Sequence, residues 1–229
     1  MNILTFHNAI VYNIAMKDLG YLPNGYDGLK IVESMSGIVT AEFNRHKEYD
    51  VLVLPRKLKG DYNGVAQKIS EYIQLSKQDS DEFTLETFTD ILPHLGLTQD
   101  QQYAANQIKT DLLKSQDHDP FLFIEGIQFG REEGFSDWHY DDANEETGMM
   151  TRILCSYNRP ATEFLRLCDA TPNGDHHYRQ KPNTQHWSAQ TQDVTRHRLY
   201  LDRGQGLNGT VHRRPNTTHT TAPGLLLNA

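Results

Sequence analysis

Thr151-Arg152-Ile153-Leu154-Cys155-Ser156-Tyr157-Asn158-Arg159-Pro160-Ala161-Thr162-Glu163-Phe164 is the stretch that decides how the chain is read. It holds two short strand-like runs, Arg152 to Tyr157 and Thr162 to Leu167, with a turn at Asn158 and Pro160 between them. Similar runs lie on either side: Phe121 to Ile127 before it, Arg196 to Leu201 and Leu225 to Leu227 after it. Glycine, proline and asparagine turns separate them. From Pro120 onward the sequence therefore predicts a unit of many short strands.

Upstream the pattern changes. Asp50-Val51-Leu52-Val53-Leu54-Pro55 is an apolar run stopped by proline, as in a buried strand. From about Tyr62 to Gln116 the period is helical. Val65, Ile69, Tyr72 and Ile73 share one face, and Phe83, Leu85, Phe88, Ile91 and Leu92 form a second amphipathic segment ending near Pro93 and Gly96. Thr98 with Gln101 makes a capping box that opens a third helix past Ile108 and Leu112. The first residues read as a strand, Asn2 to Val11, and a turn region, Gly20 to Gly25. Ala170 to Thr195 is polar with no hydrophobic period and reads as a long functional loop. The expected fold is α+β, a β-barrel with a helical layer packed on it. We expect one domain spanning 1–229, with strands and a helical buttress in 1–118 and the β core in 119–229.

Composition narrows the function. The 229 residues are 37% hydrophobic and 23% charged, as expected of a globular chain. No apolar run approaches the roughly 18 residues of a membrane span. The N-terminus lacks the basic start and cleavage site of a signal peptide, and two cysteines, Cys155 and Cys168, make no disulfide framework. A cytoplasmic protein without a membrane or nucleic-acid partner is expected, the net charge being −8. That charge is uneven. Residues 171–229 carry seven Arg/Lys against three Asp, a net +4, which leaves −12 on the rest, and seven of the eleven histidines lie from His139 onward. A cationic, imidazole-rich half suits a small anionic ligand beside a metal, although plain surface asymmetry gives the same count.

The chemistry-bearing motif is Trp138-His139-Tyr140-Asp141 with Gly209-Thr210-Val211-His212-Arg213-Arg214-Pro215. With 11 histidines and 18 aspartates, roughly one His-x-Asp pair arises by chance. Its value lies in the spacing: on extended backbone, side chains two apart share a face and reach one ion together. Asp142 points the other way. His212 follows a glycine-rich turn on a returning strand, while His176, His177, His186 and His219 compete for the same role. Two imidazoles and a carboxylate form the facial triad of non-haem Fe(II) oxygenases. A structural zinc in the polar loop is the other metal reading.

Taken together, the Trp-His-Tyr-Asp segment, the run Thr151 to Phe164 and Gly-Thr-Val-His-Arg-Arg-Pro resemble a bacterial domain-of-unknown-function family. Its members carry a His-Val-Asp, an "RLLCTYRGPGTEW"-like stretch and a "VHRSP"-like ending. That family is similar to the cupin-like, jelly-roll (double-stranded β-helix) folds that include the 2-oxoglutarate/Fe(II) dioxygenases. The resemblance runs from about Asp50 to the C-terminus. It implies metal ligation by His139, Asp141 and His212, and a cavity shared by Arg152, Tyr157, Thr162 and Glu163. Arg152 would hold an acid carboxylate through paired N–H···O bonds. Arg213, next to His212, would face away.

One departure stands out. The basic residue that usually follows the distal histidine by about ten positions, holding the far carboxylate of 2-oxoglutarate, is replaced by Ala222, Pro223 and Gly224. Arg152 and Arg198 are the substitutes at hand. The expected function is an oxidoreductase, a 2-oxoglutarate-dependent Fe(II) dioxygenase acting on a small-molecule substrate. Trp138, Tyr140 and the 170–195 loop would form its lid. The alternatives are a non-catalytic Zn(II) or divalent-metal-binding protein in metal handling, and a metal-dependent cupin isomerase or hydrolase.

Overall fold

The run quoted first becomes two strands, β6 (Thr151–Ser156) and β7 (Glu163–Leu165), and they lie in different sheets. The computed structural model describes residues 28–41, 49–77, 80–125, 137–143, 150–174, 176–200, 209–215 and 223–229. The strand expected over Asn2 to Val11 and the turn over Gly20 to Gly25 lie outside them, as do His219 and Ala222.

Among the described residues thirteen strands form two curled sheets beside a few helices, an α+β arrangement. The N-terminal half gives β1 (Gly28–Ile31), β2 (Tyr49–Leu54) and β3 (Glu82–Phe83), with α1 (Met35–Val39), α2 (Tyr62–Ser76), α3 (Leu85–Ile91) and α4 (Gln99–Lys114). Then come β4 (Phe121–Glu125), β5 (Trp138–His139), β6, β7, β8 (Ala170–Pro172), β9 (His177–Gln180) and β10 (Trp187–Ser188). The chain ends with β11 (Val194–Arg198), β12 (Val211–Arg213) and β13 (Gly224–Asn228). The larger sheet runs β1-β2-β11-β6-β13-β4-β3 and the smaller β10-β7-β12-β5-β9-β8. Strands of the N-terminal half thus share a sheet with those of the C-terminal half, through β2 with β11 and β3 with β4.

The helical period read over Tyr62 to Gln116 corresponds to α2, α3 and α4. Each opens on a side-chain cap: Asp61 accepts from the Gly64 amide, Thr84 from Thr87, and Thr98 with Gln101 closes the capping box. Gly60 lets α2 approach α4. Its φ is 120°, and a Cβ there would stand 2.9 Å from the Ala104 nitrogen.

Strict alternation then divides the larger sheet into two environments. Ile153, Cys155 and Tyr157, with Leu122, Ile124, Leu225, Leu227, Leu52 and Leu54, pack on the helices in one core. Val51 and Val53 point the other way and meet Phe164 and Trp187 of the smaller sheet in a second core. Arg152, Leu154 and Ser156 share that inner face and line a cavity.

The long loop expected over Ala170 to Thr195 is a correction. That segment forms β8, β9 and β10 and the start of β11. β8 and β9 are short and largely exposed, and β10 is only two residues with Trp187 buried, so no hydrophobic period marks the segment.

Candidate metal centre

His139 ends β5 and stands directly opposite His212 on the antiparallel neighbour β12, which brings the two rings to 4.6 Å. Asp141 lies two residues on. Its backbone carbonyl accepts the Tyr200 amide at 2.8 Å, which holds the segment after β5 in place. One ligand atom from each of His139, Asp141 and His212 falls within 4.8 Å of the others. His139 Nε2 is 3.7 Å from Asp141 Oδ1, and His212 Nε2 is 3.3 Å from Asp141 Oδ2. Two ligands about 2.1 Å from one ion stand roughly 3.0–3.4 Å apart at octahedral or tetrahedral angles. Each imidazole therefore stands near that spacing from the carboxylate, His139 from one Asp141 oxygen and His212 from the other.

Both imidazoles are oriented in the same way. His139 Nδ1 lies 2.7 Å from the Asp137 carbonyl and His212 Nδ1 3.0 Å from the Thr210 carbonyl. Each Nδ1–H donates to a backbone oxygen two residues back, which leaves the Nε2 lone pair for a metal. Burial, helped by the neighbouring His212, lowers the pKa of His139. For Asp141 burial alone would raise the pKa. The neighbouring His212 and the charge of Arg152 outweigh that and hold the carboxyl well below the usual range. A neutral imidazole and an ionised carboxylate are the forms that bind metal.

The triad opens on a cavity of about 270 Å³. Arg152 and Thr162 line it, and Arg152 Nη1 donates to Asp141 Oδ2. Phe121, Phe123, Leu154, Ala161 and Leu226 supply apolar wall, and Arg213 and Arg214 reach its rim.

The other expected site residues go elsewhere. Tyr157 is not a cavity residue: it is five positions from Arg152 on a pleated strand, so it faces the helices, where its hydroxyl donates to Asp111 at 2.8 Å. Arg198 points to the β1–β2 side and donates to the Tyr49 carbonyl at 3.1 Å. Trp138 is no lid. It is buried with Leu165, Ala170 and Val211, and the Arg213 guanidinium lies 4.2 Å over its ring. Glu163 takes the Arg213 Nε–H at 2.5 Å and sits 3.8 Å from His186. Tyr140 packs among Tyr200, His176 and Tyr178 at ring separations of 4.3, 4.8 and 5.6 Å. Among the competing histidines, His176 pairs with Asp142 at 3.2 Å, while His177 lies across β5 from His139 and is exposed.

Two groups lie outside the sequence motifs. His197, on β11, is fully buried with its ring 4.5 Å from that of His212. Its signal was parity: between Arg196 and Arg198 on a strand, it must face the opposite way from both. The second is a buried ion pair. Arg56 clamps Asp111 with Nη1 at 2.9 Å and Nη2 at 2.6 Å.

No protein-family model matches the chain, and no curated protein is significantly similar to it.

Proposed function

We propose that the chain is a mononuclear non-haem Fe(II) oxygenase that takes a 2-oxo acid, built on a double-stranded β-helix. The observation that carries the reading is the convergence of His139, Asp141 and His212 at the mouth of a cavity whose wall presents Arg152. The strand order supports the fold. From β4 onward β4-β13-β6-β11 packs against β5-β12-β7-β10, so that β4, β6, β11 and β13 fall in one sheet and their sequence neighbours β5, β7, β10 and β12 in the other. Apart from β8 and β9, which extend the smaller sheet, that alternation is what a jelly roll would require, and it supports the reading.

Fe(II), if held by His139, Asp141 and His212, would supply oxygen activation. The chain's own residues do the rest. His139 and His212 present preset Nε2 atoms, and Asp141 brings the negative charge. Arg152 holds Asp141 and keeps a further N–H edge for an incoming carboxylate. Phe121, Phe123, Leu154 and Leu226 keep water from the far wall. No described helix is long and apolar enough to cross a membrane, and we take the compartment to be the cytoplasm and the substrate to be a small molecule.

A second reading, Zn(II) or other divalent-metal handling, is favoured by the row of imidazoles His212, His139 and His177 across β12, β5 and β9. Anaerobic Fe(II) titration with and without 2-oxoglutarate tests the two. An oxygenase gives a visible charge-transfer absorption with both present, lost in His139→Ala. Tight zinc with no such absorption refutes the oxygenase and leaves the metal-handling protein.

A further inference from the structure

We propose that the substrate of this site is an aliphatic amine, lying with its apolar tail toward the triad and its ammonium on Glu82, an inference that rests on the oxygenase reading above. The register of the larger sheet carries it. Ser156 of β6 pairs with Leu226 of β13, Leu226 with Phe123 of β4, and Phe123 with Glu82 of β3. Beside that row runs a second, in which Leu154 pairs with Asn228 and Asn228 with Phe121. Cross-strand partners share a face, and every member of the two rows lines the cavity. The cavity floor is thus laid across the strands. From β6 to β3 it covers three strand spacings, about 14 Å.

The two ends of this floor are chemically opposite. Arg152 stands at the β6 end beside Asp141, and Arg213 and Arg214 follow His212 at the rim. At the β3 end the lining offers a carboxylate, Glu82. Glu82 is exposed, Ser80 bonds only its backbone, and among the described residues no side chain pairs with its carboxylate. Between the ends, Leu226, Phe123 and Phe121 present no hydrogen-bonding group, and the Ser156 hydroxyl donates to the Arg159 carbonyl at 3.0 Å. Asn228 is the polar exception.

Beyond Glu82 the floor continues outward. Glu82 and Phe121 also line a groove of about 910 Å³ beside α3 and the end of α4. Its charged lining is Glu82, Glu86, Asp90 and Asp119 against Lys109. Such a surface draws a cation inward and turns an anion away. The cavity therefore sorts two ligands by charge: the 2-oxo acid belongs at the arginine end, and the second molecule brings an apolar body and a positive head. An aliphatic amine meets both demands, its methylenes on the phenylalanine and leucine floor and its ammonium on Glu82.

The test is calorimetric titration of metal-free full-length protein with n-alkylamines from butyl to octyl, and with hexanoate and 1-hexanol, on wild type and Glu82→Gln, with a melting curve of each. Hexylamine should bind about tenfold or more tightly than hexanoate, and each added methylene should improve amine affinity about threefold. Glu82→Gln should lose about fivefold or more for the amines and leave 1-hexanol unchanged. Its melting temperature should match wild type, because the exposed carboxylate has no described partner to lose. Hexanoate binding as well as hexylamine, or equal amine affinity in the two proteins, overturns the proposal. Anaerobic Fe(II) with 2-oxoglutarate separates this failure from that of the reading beneath it. Charge-transfer absorption without amine binding leaves the oxygenase standing and refutes the amine; amine binding through Glu82 without absorption shows an amine site that serves no such oxygenase, and the substrate assignment falls.

Discussion

Replacing Asp111 with asparagine probes the contact that ties the helices to the sheet. The Asp111 side chain is fully buried, and four donors end on its carboxylate: Arg56 Nη1 at 2.9 Å, Arg56 Nη2 at 2.6 Å, Tyr157 Oη at 2.8 Å and Gln107 Nε2 at 3.0 Å. Arg56 is itself only 11% exposed, and it also donates to the Gln192 carbonyl at 2.8 Å. Asparagine fills the same volume but offers one acceptor oxygen, and its amide turns two N–H donors toward donors. It also leaves the Arg56 guanidinium buried without a counter-charge. Breaking one side of a buried pair costs about 3–5 kcal/mol, and for a chain of this length that lowers the melting temperature by roughly 6–20 °C. The assay is urea and thermal unfolding by circular dichroism at neutral pH with chelator present, so that no metal contributes. A loss under about 1 kcal/mol, the range of a surface ion pair, would refute the view that this cluster is desolvated and structural. The double change Arg56→Met with Asp111→Leu should recover most of the loss, since an apolar pair of similar volume removes the orphaned charge.

Two further outcomes follow from the site and its surroundings. Arg152→Lys keeps a cation but not the planar pair of donors; acid affinity in the Fe(II)-loaded protein, read by titration, should fall about tenfold or more while metal affinity stays within a factor of about three, and unchanged acid affinity removes Arg152 from the acid site. Burial raises the Asp193 pKa to about 7, against the two backbone amides of Gln190 and Arg56 that favour its ionised form. A carboxyl whose folded pKa is raised binds its proton more tightly when folded, so its contribution to stability falls as pH rises from about 4 to 7. Asparagine carries no such penalty: the stability of Asp193→Asn relative to wild type should rise across that window, and a flat difference from pH 4 to 8 would contradict it.

Much of the molecule was legible in the chain because periodicity is a backbone property. The helices between Tyr62 and Gln116 announced themselves through apolar spacing and the Thr98–Gln101 box, and the triad through a two-residue offset on extended backbone. Other features escaped for identifiable reasons. Arg152 and Tyr157 were assigned to one cavity although an odd separation on a strand sends them to opposite faces, so parity within the quoted stretch already excluded the pairing. Residues 170 to 195 escaped because short, half-exposed strands leave no apolar period. Asp111 is spaced like any polar residue on α4, and only tertiary packing brings Arg56, from the end of β2, against it. His197 was obscured because its arginine neighbours make the segment look like surface.

The two-sidedness of β6 bears on how such a protein can change. Ile153 and Cys155 belong to the helix-side core, while Arg152, Leu154 and Ser156 belong to the cavity. Substitution at the even-numbered positions can remodel what the cavity accepts without disturbing the packing that keeps the chain folded. Length is another matter. One residue gained or lost within the strand would exchange the two sets, placing Arg152 against the helices and Ile153 beside Asp141. Lineages descended from this chain should therefore diversify along β6 by replacement and confine insertions and deletions to the turns around Asn158 and Pro160.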